Sequence, residues 1–377
     1  MEGKSLLTFL LVVICANSTM ALTCLTSKKI LGECVDRESC ESFKEFQTRS
    51  SFTQLSQKEQ KDQMLTWRCG EKNNLVCCPN DIPYSEPPPS VLGHRNLRLL
   101  PEACGKKSLA DRLFNAHSTE INEYPWMALI STFSRKGNNV IELAFTCGGT
   151  VINSRYILTA AHCITNLTKR ELAGVRLGEW DISTERDCVD DYCAPPYQDI
   201  FIEEVLPHPG YVSSNKDLRN DIGLLRLASP INLTVANVKP VCLPTTKRMR
   251  EVNLTEKKLV ITGWGKTNDS EKGYSDRLLQ IAVPIVSNRE CAEKYNDFNT
   301  GGVGFRKLCV SGLKGISTCT GDSGGPMLLD IAVKREEKFV QYGVISAGYS
   351  NCGTEGQPGI LTNVLYYMDW ILDTIKP

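Results

Sequence analysis

Cysteine is the residue that most limits how this chain can fold. There are 17 in 377 residues, and six of them fall between positions 24 and 78. Cys15 lies in an N-terminal stretch that reads as a secretory signal. Lys4 supplies a positive charge, Leu6 to Cys15 is an apolar run too short to span a bilayer, and Thr19-Met20-Ala21 suits cleavage. Residues 1–21 are therefore expected to leave. The 16 cysteines that stay are even in number, as a disulfide framework in an oxidising compartment requires. A zinc reading would want paired C-x2-C spacing, and none occurs. No later run of about 18 apolar residues is present, so a secreted, extracellular protein with no membrane span is expected.

The 377 residues are too many for one small core and point to two domains. Lys plus Arg and Asp plus Glu each number 43, leaving no net charge. With no basic stripe either, neither nucleic acid nor a charged membrane surface is expected as the main partner. Residues 22–79 hold Cys24, Cys34, Cys40, Cys69, Cys77 and Cys78 around a polar, helix-compatible segment, Leu55 to Thr66. So small a module has little apolar core and depends on its cross-links. Six cysteines allow fifteen pairings. Residues 80–112 read as a linker and activation segment. Pro83, Pro87, Pro88, Pro89 and Pro101 favour extended backbone, and few side chains there look able to nucleate a core. Residues 113–377 form the larger domain. Apolar-alternating runs separated by turn residues predict strands at 126–133, 150–158, 224–227, 259–262, 280–286 and 340–345. Only Tyr366 to Ile375 has helical spacing, with Trp370, Ile371 and Ile375 for one apolar face.

The chemistry is concentrated in three short stretches. Cys319-Thr320-Gly321-Asp322-Ser323-Gly324-Gly325-Pro326 offers a serine among glycines. A lone serine hydroxyl is a poor nucleophile at neutral pH, so it needs a base beside it and donors for the oxyanion it creates. Gly321 has no side chain to block a close approach, so its N–H and that of Ser323 can point at one spot. Leu158-Thr159-Ala160-Ala161-His162-Cys163 offers His162 as general base and then acid. Asn220-Asp221-Ile222-Gly223-Leu224-Leu225 offers Asp221 to fix the histidine tautomer. Taken singly, Ser323 reads as a turn serine and His162 as a core histidine. Three motifs in the order His, Asp, Ser argue for a catalytic triad.

In these motifs the chain from about Leu113 onward resembles the trypsin/chymotrypsin serine proteases. The resemblance implies an all-β fold, a chymotrypsin-like double β-barrel with a C-terminal helix. It implies a serine endopeptidase that needs no cofactor for catalysis. The six N-terminal cysteines, closing in the adjacent pair Cys77-Cys78, resemble the clip domain of arthropod clip-domain serine proteases. That resemblance implies the pairs Cys24–Cys77, Cys34–Cys69 and Cys40–Cys78. By the same resemblance Cys104–Cys242 tethers the N-terminal module and Cys147–Cys163 clamps the loop bearing His162. Cys188–Cys193 closes a small loop, and Cys291–Cys309 and Cys319–Cys352 brace the second barrel.

Such proteases are made as zymogens. Cleavage is expected after Arg112, where Leu113-Phe114-Asn115-Ala116 replaces the usual Ile-Val-Gly-Gly. The freed Leu113 amine would pair with Asp322, each charge making the other's burial tolerable. By resemblance Ser317 floors the substrate pocket, with Gly348 and Gly359 leaving it open, and Ser346 begins the strand that pairs with substrate backbone. Trypsin-like members carry Asp at the floor. Ser317 has no charge to offset a buried guanidinium, so a neutral, chymotrypsin-like pocket is expected. Ala347 and Leu361 depart from the family and alter its wall. Glu179, Asp181 and Asp190, with Asp191 beside them, offer hard oxygen ligands in a loop where some relatives hold structural calcium. A solvated acidic loop is the other reading. Asn166, Asn232, Asn253 and Asn268 are glycosylation sequons. The family implies an extracellular cascade of innate immunity, melanisation or development. The partners it implies are a protein substrate such as a downstream zymogen, an upstream activating protease and a serpin. The alternatives are a non-catalytic clip-domain regulator and a digestive chymotrypsin. The N-terminal module and long linker speak against the second.

Overall fold

The computed structural model describes residues 23–25, 31–40, 43–44, 47, 56–69, 74–79, 88–106, 117–136, 139–165, 167, 170–212, 219–255, 257–265, 274–287, 291, 305–311, 321–333, 336–347 and 358–377. Residues 1–84 form one unit and 85–377 another.

In the first unit β1 (Thr23–Leu25), β2 (Leu31–Asp36) and β3 (Leu75–Pro79) pair antiparallel in that order. Disulfides join Cys24 to Cys77, Cys34 to Cys69 and Cys40 to Cys78. Among the described residues the buried apolar cluster beneath them is Cys40, Phe43, Trp67 and Val76, with the two rings edge-on at 5.6 Å. The cross-links therefore carry much of the work that burial does in a larger domain. Helix Gln57–Leu65 starts with a reciprocal cap. The Ser56 hydroxyl and N–H donate to Glu59, whose own N–H donates to the Ser56 oxygen.

In the second unit the strands begin with β4 (His117–Ser118), β5 (Met127–Lys136), β6 (Asn139–Val151), β7 (Tyr156–Thr159) and β8 (Arg170–Leu177). Next come β9 (Cys188–Val189), β10 (Tyr192–Cys193), β11 (Gln198–Ile200), β12 (Ile202–Pro207) and β13 (Gly223–Leu227). The last are β14 (Lys258–Gly263), β15 (Leu279–Val286), β16 (Lys307–Val310), β17 (Pro326–Val333), β18 (Glu336–Ala347) and β19 (Gly359–Asn363). One antiparallel sheet has the order β11-β8-β5-β6-β7-β13-β12. The other runs β14-β17-β18-β19-β16-β15-β4 and closes into a barrel through β14–β15 pairing. Tyr124 and Trp126, at the entry to β5, meet Phe339 of β18 with ring centroids 5.4 to 5.9 Å apart. That aromatic cluster joins the two sheets. The chain ends in a 3-10 turn, Val364–Tyr367, and the helix Met368–Thr374, which buries Met368, Ile371 and Leu372. No helix among the described residues is long and apolar enough to cross a membrane.

Two expectations are corrected here. The run 150–158 is not one strand, because β6 ends at Val151 and β7 starts at Tyr156. Asn153 breaks it: its side-chain oxygen accepts from the N–H groups of Arg155 and Tyr156, both at 2.9 Å, and closes a turn. The second correction concerns the segment read as linker, 80–112. Its residues 88–106 lie packed as a strap on the larger unit. Val91 is buried in that unit's core, and Leu97, Leu99 and Leu100 pack against it. The Asn96 side-chain amide donates to the carbonyls of Leu372 at 2.8 Å and Ile375 at 3.3 Å, at the end of the C-terminal helix. His94 reaches Asp373 at 3.1 Å, and Cys104 is bonded to Cys242. The prolines hid four apolar side chains spaced to dock. Replacing Asn96 by Ala strands two helix-end carbonyls. It should cost about 1–2 kcal/mol in urea unfolding of the full chain, and Asn96→Asp, which lacks the amide donor, should cost as much.

Candidate active site

β7 leads into the one-turn helix Ala161–Ile164, which carries His162, and the Cys147–Cys163 disulfide fastens that turn to β6. Asp221 stands two residues before β13 and is only 1% exposed. One of its carboxylate oxygens accepts from the His162 N–H at 2.9 Å. The other lies 2.8 Å from His162 Nδ1 and also accepts from the Ser346 hydroxyl at 2.5 Å. Its backbone carbonyl accepts from the Thr362 hydroxyl at 2.7 Å. Burial would push this carboxyl up, yet the His162 and Ser346 hydrogen bonds hold it below the usual carboxylate range. An ionised carboxylate only accepts, so Nδ1 carries the imidazole proton and Nε2 is left as the base.

Ser323 arrives from the second barrel, just before β17. Its carbonyl accepts from the Gly148 N–H of β6 at 2.8 Å. Gly324 follows at φ +79°, where a Cβ would lie 2.2 Å from the Thr159 hydroxyl and 2.4 Å from the Gly148 carbonyl. The same Cβ position is 3.2 Å from Cys163 Sγ, the neighbour of His162. Only glycine lets the serine turn come this close to the histidine turn. Gly321 has φ +104°. Among the described residues neither its N–H nor that of Ser323 donates to another backbone group. Two amides that flank Asp322 in this way suit a developing oxyanion. Asp322, between them, turns away and accepts from the Gly265 N–H at 2.8 Å. The arrangement suits acyl transfer: a serine, a base with a fixed tautomer, a buried carboxylate and paired backbone donors.

Comparison with known proteins agrees with this geometry. The trypsin family matches residues 113–371, and the regulatory CLIP domain of proteinases matches 24–78. The chain belongs to the clip-domain serine proteases. It is a serine endopeptidase by that membership. It is 40% identical to phenoloxidase-activating factor 1 of Holotrichia diomphalia over 82% of this chain and 83% of that one. It is 38% identical to CLIP domain-containing serine protease HP8 of Bombyx mori over 80% of each. The crystal structure of the Drosophila Grass clip serine protease of the Toll pathway superposes with a TM-score of 0.64 at 33% identity, covering 94% of this chain and 97% of that one.

In this clip-domain protease the other expected site residues are spread as follows. Ser346 is the penultimate residue of β18, before Ala347, and Gly359 opens β19. Ser317, Gly348, Arg112, Leu113, Cys319, Cys352, Asn166 and Asn268 lie outside the described residues. Disulfides close between Cys188 and Cys193 and between Cys291 and Cys309. Asn232 and Asn253 are exposed, each accepting from the N–H and hydroxyl of the threonine two residues on.

The carboxylates named for calcium take separate places. Glu179, Asp181 and Asp190 do not converge within one ion's shell. Asp181 is turned to Arg277 at 2.8 Å and to Ser183. The carboxylate that meets Glu179 is Asp187, since both accept from the Trp180 N–H, at 3.0 and 2.8 Å. Burial, then repulsion from Asp187, pushes Glu179 up to about 7. Three carboxylates around one site are therefore not assembled among the described residues. Sequence reasoning also gave no role to Asn220, whose unusual backbone only the structure shows.

The His208 N–H donates to the Ile222 carbonyl at 2.9 Å, and Tyr367 and Trp370 lie against its ring at 5.3 and 5.1 Å. Its Nδ1 accepts from the Gly210 N–H at 3.0 Å. Burial, and then the nearby Arg306, lower its pKa from 6.5 to about 4. The unfolded chain binds this proton between about pH 6.5 and 4 while the folded one refuses it, so stability falls as pH drops through that window. Thermal melts should show His208→Asn, which keeps an acceptor for Gly210, losing roughly 2 kcal/mol less than the wild type between pH 7 and pH 4.

Proposed function

We propose that this protease is a secreted zymogen of an extracellular cascade, activated by cleavage after Arg112 and equipped with a neutral, chymotrypsin-like substrate pocket. The observation that carries the reading is Asp322. It sits beside Ser323 with its carboxylate against the backbone of Gly263 and Gly265. A Cβ on either glycine would come within 2.1 or 2.3 Å of carboxylate atoms. A carboxylate so closely fitted next to the nucleophile gives a new Leu113 ammonium a partner. The pairing would couple cleavage to the setting of the Gly321 and Ser323 amides. The pocket reading rests on Ser317, Ser346, Gly348 and Gly359, none of which offers a charge to a substrate Arg or Lys. A cascade role is supported by relatives named phenoloxidase-activating factor 1 and, in Drosophila, melanization protease 1. Its substrate would then be a protein such as another zymogen. An upstream protease cutting after Arg112 and a serpin complete the expected partners.

The test is a P1 profile of the activated chain. The purified zymogen is cut with an arginine-specific protease, Leu113 is confirmed as the new N-terminus, and a peptide library varied at P1 is offered. Turnover after Phe, Tyr, Leu or Met, with little after Arg or Lys, is the expected result. Preference for Arg overturns the neutral pocket. Turnover no greater than that of Ser323→Ala overturns the catalytic reading in favour of a regulator. Cleaved Asp322→Asn should fall roughly a hundred- to several-thousand-fold below the cleaved wild type, as a broken buried ion pair costs about 3–5 kcal/mol.

A further inference from the structure

We propose that Asn220 is a positioning residue of the triad, holding Asp221 in line with His162 by tying the Asp221 turn to both barrels. The proposal rests on the assignment of Asp221 as the triad acid. Asn220 immediately precedes it and adopts φ +54°, a left-handed backbone that asparagine tolerates better than most residues. The Ile222 N–H donates to the Asn220 carbonyl at 2.8 Å, so Asp221 is the central residue of a three-residue turn. In such a turn the direction of the central side chain follows the backbone of the residue before it.

Both ends of the Asn220 side chain are engaged. Its amide donates to the Gly210 carbonyl at 2.8 Å, in the loop after β12. Its oxygen accepts from the Tyr367 hydroxyl at 3.0 Å, and the Arg306 guanidinium, just before β16, lies 3.5 Å away. Tyr367 is buried, with Arg306 over its ring at 5.7 Å and His208 edge-on. Burial pushes its hydroxyl up to about 12, so it stays a donor at neutral pH. Ser346 and Thr362 act on Asp221 itself. Asn220 acts one residue upstream and sets how the chain delivers the carboxylate. The bond it protects is the 2.8 Å contact to His162 Nδ1, which fixes the tautomer and stabilises the imidazolium.

The test uses the full chain after cleavage at Arg112 and a fluorophosphonate that labels Ser323, a probe chosen because it makes little use of the P1 pocket. The labelling amplitude counts competent sites, and the rate between pH 5 and 9 reports the His162–Asp221 couple. Asn220→Gly keeps the left-handed backbone and removes the side-chain bonds. It should label fully but about 10–100-fold more slowly, because a small misplacement of catalytic groups costs this much. Its acid limb should move to lower pH by about half a unit or more, since imidazolium loses part of its carboxylate partner. His208, at about 4, does not titrate in this range. Tyr367→Phe should change rate and limb in the same direction by a smaller factor. The double variant should be little worse than Asn220→Gly alone, because both act through one bond. A wild-type rate and pH limb in both single variants overturns the proposal. So does a lower amplitude with an unchanged rate, which is what a merely structural role would give. If Asn220→Gly does not fold, Tyr367→Phe decides. Asp221→Asn separates the layers. If it labels as fast as wild type, the assignment of Asp221 fails, whereas a slow Asp221→Asn beside wild-type Asn220 and Tyr367 variants means that only the positioning role fails.

Discussion

A carboxylate taken out of water organises this protease. Asp221 is charged and almost fully buried. An isolated ion in that position would cost several kcal/mol, so the surrounding protein must supply donors. It does so from both barrels. His162 offers a backbone N–H and a ring N–H from the first, and Ser346 offers its hydroxyl from the second, where the Thr362 hydroxyl also holds the Asp221 backbone carbonyl. The two sheets cannot shift against each other without stranding this charge. The same contacts that keep the fold in register hold the imidazole in its catalytic tautomer, so stability and chemistry depend on one set of bonds.

Ser323 is placed by complementary means. Its turn is pressed against the first barrel by the Gly148 N–H and admitted there because Gly324 has no side chain. Hydrogen bonds pull and the absence of a Cβ permits. The aromatic cluster of Tyr124, Trp126 and Phe339 gives the interface its apolar part. Large rings there bury much area, at about 25 cal/mol per Å² of apolar surface removed from water. The polar site can therefore sit at the junction without having to hold the junction together alone.

Local sequence was a good guide where local chemistry decides. Period-two runs became strands β13, β14, β15 and β18 with ends moved by a few residues. His162, Asp221 and the glycines around Ser323 stood out because few other roles demand those residues in that order. The failures share a cause. Whether Val91 and Leu97 dock, or Asn153 folds its side chain onto the backbone ahead, depends on partners far away or on a turn that hydrophobic periodicity does not register. Asn220 looked like part of a motif, yet its partners Gly210, Arg306 and Tyr367 lie 10, 86 and 147 positions away. The acidic loop shows the same limit. Charge density picked out Glu179 and Asp190, but the chain path brings Asp187 to the Trp180 amide.

The strap has a consequence for the proposed activation. A cut after Arg112 would remove one covalent path between the N-terminal module and the catalytic barrels, while the Cys104–Cys242 bond is a second. The docked residues 88–106 are a third attachment, independent of sulfur chemistry. Separation of the two pieces is thus never a simple dissociation, and dilution into a large fluid volume does not favour it. Any surface that captures the N-terminal module also gathers proteolytic sites at a high local concentration. In a chain activated as proposed, reach would follow where that module settles rather than free diffusion of the catalytic domain.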